Sequence, residues 1–296
     1  MAGATLIDFK GEVSPGEITR VAGAARDAAA DAIVGVGGGK TLDTAKAVAH
    51  PAGLSLVIVP TVASRDAPTS ALSVVYDDDG AFLAYRFFGR NLDAVLVDTA
   101  IIARAPVRLL VARIGDGLST FLEADTSSTT RKPTMAGGPP LLAARTLARL
   151  CYDTLLADGT ARQACERGVV TPALDRVIEA NTLLSGLGFE SGGLAGAHAI
   201  HNGLTVLHET HDYWHGEKVA FGVIALLVLE GRTQDLINEV VDFCLRVGLP
   251  VTLGDIGIDA DADTLAPVAA MLGADATGAE RRALLERTMA LPEVCS

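Results

Sequence analysis

The sequence predicts an α/β domain built on an incomplete, Rossmann-like parallel sheet, followed by an all-α domain. Three observations carry that expectation. Short apolar runs alternate with helical segments through the first third of the chain. Those runs are nearly continuous in β-branched and aliphatic residues, as parallel strands covered on both faces must be. After Pro106, periodic Leu and Ala segments continue almost to the end with no β-rich run of similar strength. Alternation first and helices afterwards put the boundary near residue 104, so 1–104 reads as the α/β domain and 105–296 as the helical one.

Taken in order, residues 5–9 (TLIDF) are the first strand candidate, and a helix follows through EITRVAGAARDAAAD. Ser14 before Pro15 is a good start for that helix, a side-chain cap ahead of a proline whose missing N–H costs nothing in the first turn. Residues 32–36 (AIVGV) form a second strand that runs into Gly37-Gly38-Gly39. Helix resumes through TLDTAKAVAH, and 54–59 (LSLVIV) is a third strand. LSVVY and AFLAYRFF flank a DDDG turn at 77–80, the pattern of a hairpin. Residues 94–98 (AVLVD) read as one more strand, and in the helical part Gly/Pro breaks fall near 133–140, 168–172 and 186–196.

Composition narrows the function. A chain of 296 residues that is 49% apolar can bury a sizeable core, which excludes intrinsic disorder. A net charge of −12 argues against nucleic acid, which needs clustered Lys and Arg to neutralise phosphate. No basic stripe lies beside an amphipathic face, so no membrane-surface role is expected. The longest apolar run, 219–229, is too short to span a bilayer and fits a buried helix. The opening MAGATLIDFKGE has neither a basic nor an apolar leader region. The cysteines at 151, 165, 244 and 295 show no CxxC spacing, which suits reduced structural thiols. A soluble, cytoplasmic protein is the expectation.

Two segments are candidates for a cofactor. Gly35-Val36-Gly37-Gly38-Gly39-Lys40-Thr41 follows a strand and opens a helix, where glycines let the backbone approach a pyrophosphate. It misses the phosphate-loop pattern, because Gly35 and Gly39 enclose three residues rather than four. It also misses the dinucleotide fingerprint, because Lys40 stands where the last glycine belongs. Alone, it fits a phosphate turn and a ligand-free tight turn equally. The second segment, 60–70 (PTVASRDAPTS), leaves a strand at the carboxyl edge, where open α/β sheets bind ligands. Its hydroxyls and Asp66 suit ribose, phosphate or a substrate hydroxyl, although such loops often only cap their neighbours.

The histidines point to a metal. His198 and His201 share one helix face at i, i+3, and His215 follows with a glycine after it. Two imidazoles and a carboxylate make a three-ligand catalytic site with an open position. Asp116 is the strongest carboxylate candidate, because it sits between glycines in an apolar helical segment where an unpaired charge is costly. Spacing alone leaves this open, since a histidine pair at helical spacing is more often surface or satisfied core. His208 and His211, in a polar stretch, read as surface residues.

The words GVGGGKTLDTAKAVAH, PTVASRDAPTSALSVVY, RIGDGLSTFLEA, MAGG, LARLCYDTLL, ESGGLAGAHAIHNGLTVL and HGEKVAFGV appear in order. Together they closely resemble the glycerol dehydrogenases. These belong to the iron- or zinc-dependent polyol and alcohol dehydrogenases, with a dehydroquinate-synthase-like fold. The resemblance implies a metal on Asp116, His198 and His215, zinc in preference to iron, with His201 near the site. It implies NAD, with the pyrophosphate at Gly37, Gly38, Gly39 and Lys40. Further NAD contacts fall on Thr61, Ser64, Ser70, Leu72 and Tyr76, and Asp66 falls on the substrate-contacting aspartate. The implied reaction moves hydride from the secondary carbon of a small polyol to NAD; glycerol would give dihydroxyacetone. A homo-oligomer is implied as well.

Three departures from the family pattern shape the expectation. The family's first strand–helix unit, roughly 30 residues on the βαβ scale, has no counterpart before residue 5, which would expose a sheet edge and remove part of the adenosine site. Arg65 replaces a small hydroxyl residue beside Asp66, and the segments 125–133 and the last thirty or so residues match poorly. Three readings follow: a glycerol or small-diol dehydrogenase, a dehydrogenase for another polyol or a polyol phosphate, and a truncated, non-catalytic paralogue serving as a metal-binding oligomer subunit.

Overall fold

The computed structural model describes residues 3–64, 66–78, 80–130 and 133–258, with only the backbone at 130. Arg65, Asp79 of the expected turn, Cys295 and the poorly matching residues after 258 lie outside the described residues.

The parallel sheet forms where the apolar runs predict it. Strand β1 (Ala32–Gly37) pairs with β2 (Ser55–Pro60) in parallel, Ala32 opposite Ser55 and Gly37 opposite Pro60. Beyond β2 lies the short β5 (Ala94–Val95), also parallel, giving the order β1-β2-β5. The expected strand at 94–98 is shorter than its sequence because Asp98 turns its carboxylate onto Ala100 N–H and caps the next helix. Between β1 and β2 runs α2 (Gly39–Ala52), ended by Gly53 in the left-handed conformation. Leu42, Leu56 and Ile58 seal the contact between α2 and the sheet, each contributing roughly 1.5–3 kcal/mol through burial. β3 (Leu72–Tyr76) and β4 (Phe82–Phe87) form the expected hairpin as a separate antiparallel pair, with Gly80 at a φ of +85° in the turn.

Residues 5–9 are not a strand. No described strand pairs with them, and Leu6 is 93% exposed. They lie instead along α1 (Pro15–Asp27), where Arg20 donates to the Asp8 carbonyl at 2.7 Å and Lys10 N–H donates to Glu17 Oε1 at 3.0 Å. A β-rich run is not enough for a strand, which also needs a ladder partner. Ser14 caps α1 as the sequence predicts, accepting from Glu17 N–H. Among the described residues β1 pairs on one side only, and Val34 and Val36 are exposed.

From Thr99 onward every regular element among the described residues is helical. The long α4 (Val107–Thr130) packs against α5 (Leu142–Asp158), α8 (Ser185–Gly192) and α10 (His215–Leu229). Smaller elements surround them: α3 (Thr99–Ile102), α6 (Arg162–Glu166), α7 (Pro172–Glu179), α9 (Gly196–Leu204) and α11 (Gln234–Val247). A π-helical turn, Ala180–Leu184, joins α7 to α8. The expected break at 186–196 is therefore mostly helix. Its glycines serve close packing: a Cβ on Gly186 would stand 1.9 Å from Thr69 Oγ1, and one on Gly188 would stand 2.7 Å from Thr120 Cγ2. The run 219–229 lies inside the mostly buried α10, and no described helix is long and apolar enough to cross a membrane.

Gly35 tests how tightly α2 lies on the sheet. A Cβ there would meet Ala45 Cβ at 2.7 Å and Ile58 Cδ1 at 3.1 Å. Gly35→Ala should cost about 1–3 kcal/mol by overpacking, read as a lower midpoint of urea unfolding.

Candidate active site

Three helices meet where glycines remove the side chains between them. A Cβ on Gly216 of α10 would stand 1.7 Å from the Ala112 carbonyl of α4, and one on Gly115 would stand 2.5 Å from the Gly216 carbonyl. On another side of α10, a Cβ on Gly222 would stand 2.6 Å from the Ala197 carbonyl of α9. Each contact lies within a few residues of a predicted ligand, so the packing carries Asp116, His198 and His215 together.

The resulting geometry is compact. His198 Nε2 lies 3.5 Å and His215 Nε2 3.4 Å from the same atom, Asp116 Oδ1. Asp116 Oδ2 pairs with Arg113 Nη1. Arg113 is itself 1% exposed and donates to the Asn181 carbonyl at 3.0 Å and Ser185 Oγ at 2.7 Å. Behind His198, Nδ1 is 2.6 Å from Glu123 Oε2. Behind His215, Nδ1 is 2.9 Å from His201 Nε2, and His201 Nδ1 reaches Asn202 Oδ1 at 3.1 Å.

Electrostatics follows from these partners. Burial opposes ionisation of Asp116, but Arg113, then His215 and His198, hold its carboxyl well below the usual range. Burial likewise opposes a charge on Glu123, and His198 with two backbone amides still lowers it. For His198 burial favours the neutral ring, yet Glu123 and Asp116 outweigh it and raise its pKa well above that of a free imidazole. Burial, then the fields of His215 and His198, push His201 down to about 2, so its ring is neutral.

The donor set fits a divalent ion. Two ligand atoms each about 2.1 Å from a tetrahedral ion stand about 3.4 Å apart, which is the spacing seen between Asp116 Oδ1 and each Nε2. One carboxylate oxygen and two imidazole nitrogens lie within 4.8 Å of one another, a set that would hold a catalytic ion and leave room for a further ligand. His208 and His211 lie exposed and away from this cluster, as the sequence predicts.

The two cofactor segments adjoin at the carboxyl ends of β1 and β2. Thr61 N–H donates to the Gly37 carbonyl at 3.0 Å, and Val62 lies against Gly38. Gly37 has a φ of +154°, and a Cβ there would stand 2.7 Å from Thr41 Oγ1, so the turn requires glycine. Gly38 caps α2 without a side-chain bond. Lys40 pairs with Glu12 and lies 5.2 Å from the centre of the Tyr76 ring. The fully buried Lys46 donates to Ser70 Oγ and to the Ser70 and Leu72 carbonyls, which anchors the start of β3. Ser64 and Asp66 are partly buried, and the Asp66 carbonyl accepts from Thr69 and Ser70 N–H. Thr69 Oγ1 donates to the Thr182 carbonyl at 2.8 Å, tying this loop to the π-helical turn that Arg113 also grips.

Arg113, Glu123 and the Asn181 carbonyl were not evident from spacing between histidines. A signal existed: Arg113, Asp116, Thr120 and Glu123 recur at helical spacing and make a polar stripe along an otherwise apolar helix.

A parallel α/β sheet beside a helical bundle that carries an Asp-His-His cluster defines a class of metal-dependent dehydrogenase. The sequence profile described as iron-containing alcohol dehydrogenase matches residues 2–99. Over 256 residues the chain is 56% identical to the glycerol dehydrogenase of Citrobacter freundii, covering 86% of this chain and 70% of that one. It is 53% identical to the glycolaldehyde reductase of Halobacterium salinarum over 84% of this chain and 69% of the other. The crystal structure of glycerol dehydrogenase from Schizosaccharomyces pombe superposes with a TM-score of 0.91 at 39% identity, over 99% of this chain and 77% of that one. The chain belongs to the glycerol dehydrogenase family of iron-containing alcohol dehydrogenases. The family is one of NAD-dependent, metal-containing oxidoreductases.

The contact at Gly216 generates a test. Backbone cannot rotate out of the way of a new Cβ, so Gly216→Ala must push α10 from α4 and draw His215 from Asp116. Stability should fall by about 3 kcal/mol, the upper end of overpacking costs, with bound metal lost, as read by thermal melting and elemental analysis of one sample.

Proposed function

We propose that the chain oxidises glycerol, or a related 1,2-diol, at the secondary carbon, with NAD as acceptor and a zinc ion in preference to iron. The observation that carries this reading is the meeting of Asp116, His198 and His215 at ligand spacing in a chain 56% identical to a glycerol dehydrogenase. When bound, the ion supplies positive charge that stabilises an alkoxide, and NAD supplies the carbon that accepts hydride.

The chain's own residues hold and orient. Gly37, Gly38 and Gly39 leave the N–H groups at the start of α2 free of a side-chain cap, which suits a pyrophosphate. Lys40, Thr61, Ser64, Ser70, Leu72 and Tyr76 complete the NAD site in this reading. Asp66 accepts from a substrate hydroxyl. His201 acts through His215: a ligating Nε2 leaves the proton on Nδ1, which donates to the neutral His201, and His201 in turn donates from Nδ1 to Asn202. Residues 1–104 serve as the NAD-binding domain and 105–296 as the metal-binding domain. A homo-oligomer and a cytoplasmic setting belong to the same reading. The exposed Phe82, Leu83, Tyr85 and Phe87 of β4 support the first, and the buried free thiols of Cys151, Cys165 and Cys244 support the second.

A second reading, reduction of a small hydroxyaldehyde, is favoured by the resemblance to the Halobacterium glycolaldehyde reductase. One set of measurements covers both. The metal-loaded chain should bind NAD in a calorimetric titration and form NADH from glycerol at alkaline pH. His215→Ala should lower the rate at least about 100-fold, the scale on which loss of a site's central charge acts. A larger kcat/KM for glycolaldehyde with NADH would shift the assignment to the second reading. NAD binding with neither reaction would overturn both.

A further inference from the structure

We propose that Glu123 is a positioning residue for the metal site: its carboxylate selects the His198 tautomer that presents a bare Nε2 towards Asp116 and His215. The proposal rests on the metal reading above and names a residue with no role in it.

Glu123 lies on α4 two turns beyond Asp116 and is completely buried. Its two oxygens divide their work. Oε1 accepts from Ala195 N–H at 2.8 Å and His198 N–H at 3.0 Å, capping the start of α9, whose N-cap residue Ala195 has no side chain able to do so. Oε2 faces His198 Nδ1 at 2.6 Å. An ionised carboxylate has only acceptors, so Nδ1 must carry the proton and donate. A ring that binds an ion must give up one proton, and with Nδ1 holding its proton against Glu123 the lone pair falls on Nε2, the atom 3.5 Å from Asp116 Oδ1. One side chain thus sets the place of the α9 backbone, the plane of the ring and the nitrogen available to an ion.

The division of work makes the two roles separable. Glu123→Gln can keep an oxygen on the Ala195 and His198 amides and so preserve the cap. Its NH2 then faces Nδ1 and donates, which forces Nδ1 to accept and moves the ring proton to Nε2, the wrong tautomer for a ligand. A residue that only caps α9 would tolerate this change; a residue that sets the tautomer would not.

The test uses the full chain with zinc alone, its affinity measured by chelator competition, and with cobalt as a visible probe. Glu123→Gln should weaken zinc about 10–100-fold and alter the cobalt bands at saturation, while circular dichroism keeps the native helix content. Zinc affinity within twofold of the parent, with the cobalt bands unchanged, would overturn the proposal. If the parent chain binds no zinc, the metal reading itself fails, and a loss confined to the variant leaves that reading standing. Should the variant not fold, the zinc-loaded parent labelled with 15N in its imidazoles decides. A His198 proton on Nδ1 supports the assignment, and one on Nε2 overturns it.

Discussion

A carboxylate buried on the inner face of a long apolar helix organises the helical half of the molecule. Asp116 is 7% exposed, and an isolated charge there would cost several kcal/mol even after the protein relaxes. Its neutralisation recruits groups from four separate stretches of chain. Arg113, one turn back on α4, takes one oxygen; His198 from α9 and His215 from α10 face the other. Arg113 must in turn be satisfied, and it is, by the Asn181 carbonyl and Ser185 Oγ. The π-helical turn that presents the Asn181 carbonyl to Arg113 is therefore part of the same electrostatic solution.

That turn also links the two halves. Its Thr182 carbonyl receives Thr69 Oγ1 from the loop after β2, and Glu190 of α8 accepts from Ala71 N–H at 2.7 Å. A chain of direct contacts thus runs from Asp116 through Arg113 and the π-helical turn to the Asp66–Ser70 region. The bare Gly186 permits the closeness, since any side chain there would collide with Thr69. The loop after β2 is held against the helices that carry Asp116 by hydrogen bonds that are mostly buried, where they are strong and direction-specific.

Glycine works differently here from its role as a chain breaker. Gly115, Gly186, Gly188, Gly216 and Gly222 all lie within helices, where each costs up to about 1 kcal/mol relative to alanine. The approach of backbones that Gly115, Gly216 and Gly222 allow sets the distances among Asp116, His198 and His215. This explains why a reading of glycine as punctuation mistook 186–196 for a break, while Gly37, at the end of a strand and with positive φ, does mark a turn.

Much is legible in the sequence alone. The apolar runs at 32–36 and 54–59, the Ser14 cap, the Asp-Gly hairpin and the helical second half all follow from short-range pattern, because propensity and periodicity act over a few residues. The cluster of Asp116, His198 and His215 is legible too: a carboxylate flanked by glycines in an apolar helix and histidines at helical spacing are chemically costly choices. What remained hidden depended on partners distant in the chain. Residues 5–9 have the composition of a strand, and among the described residues no strand pairs with them. His201 shares a helix face with His198, and only the position of His215 decides that it faces His215 Nδ1 rather than Asp116. Arg113 and Glu123 could be seen as a polar stripe, but which oxygen meets which nitrogen is settled by how α4, α9 and α10 pack. Local sequence determines which elements form and which residues must find partners; the tertiary structure decides who those partners are, because a buried charge or a ring nitrogen is satisfied through space.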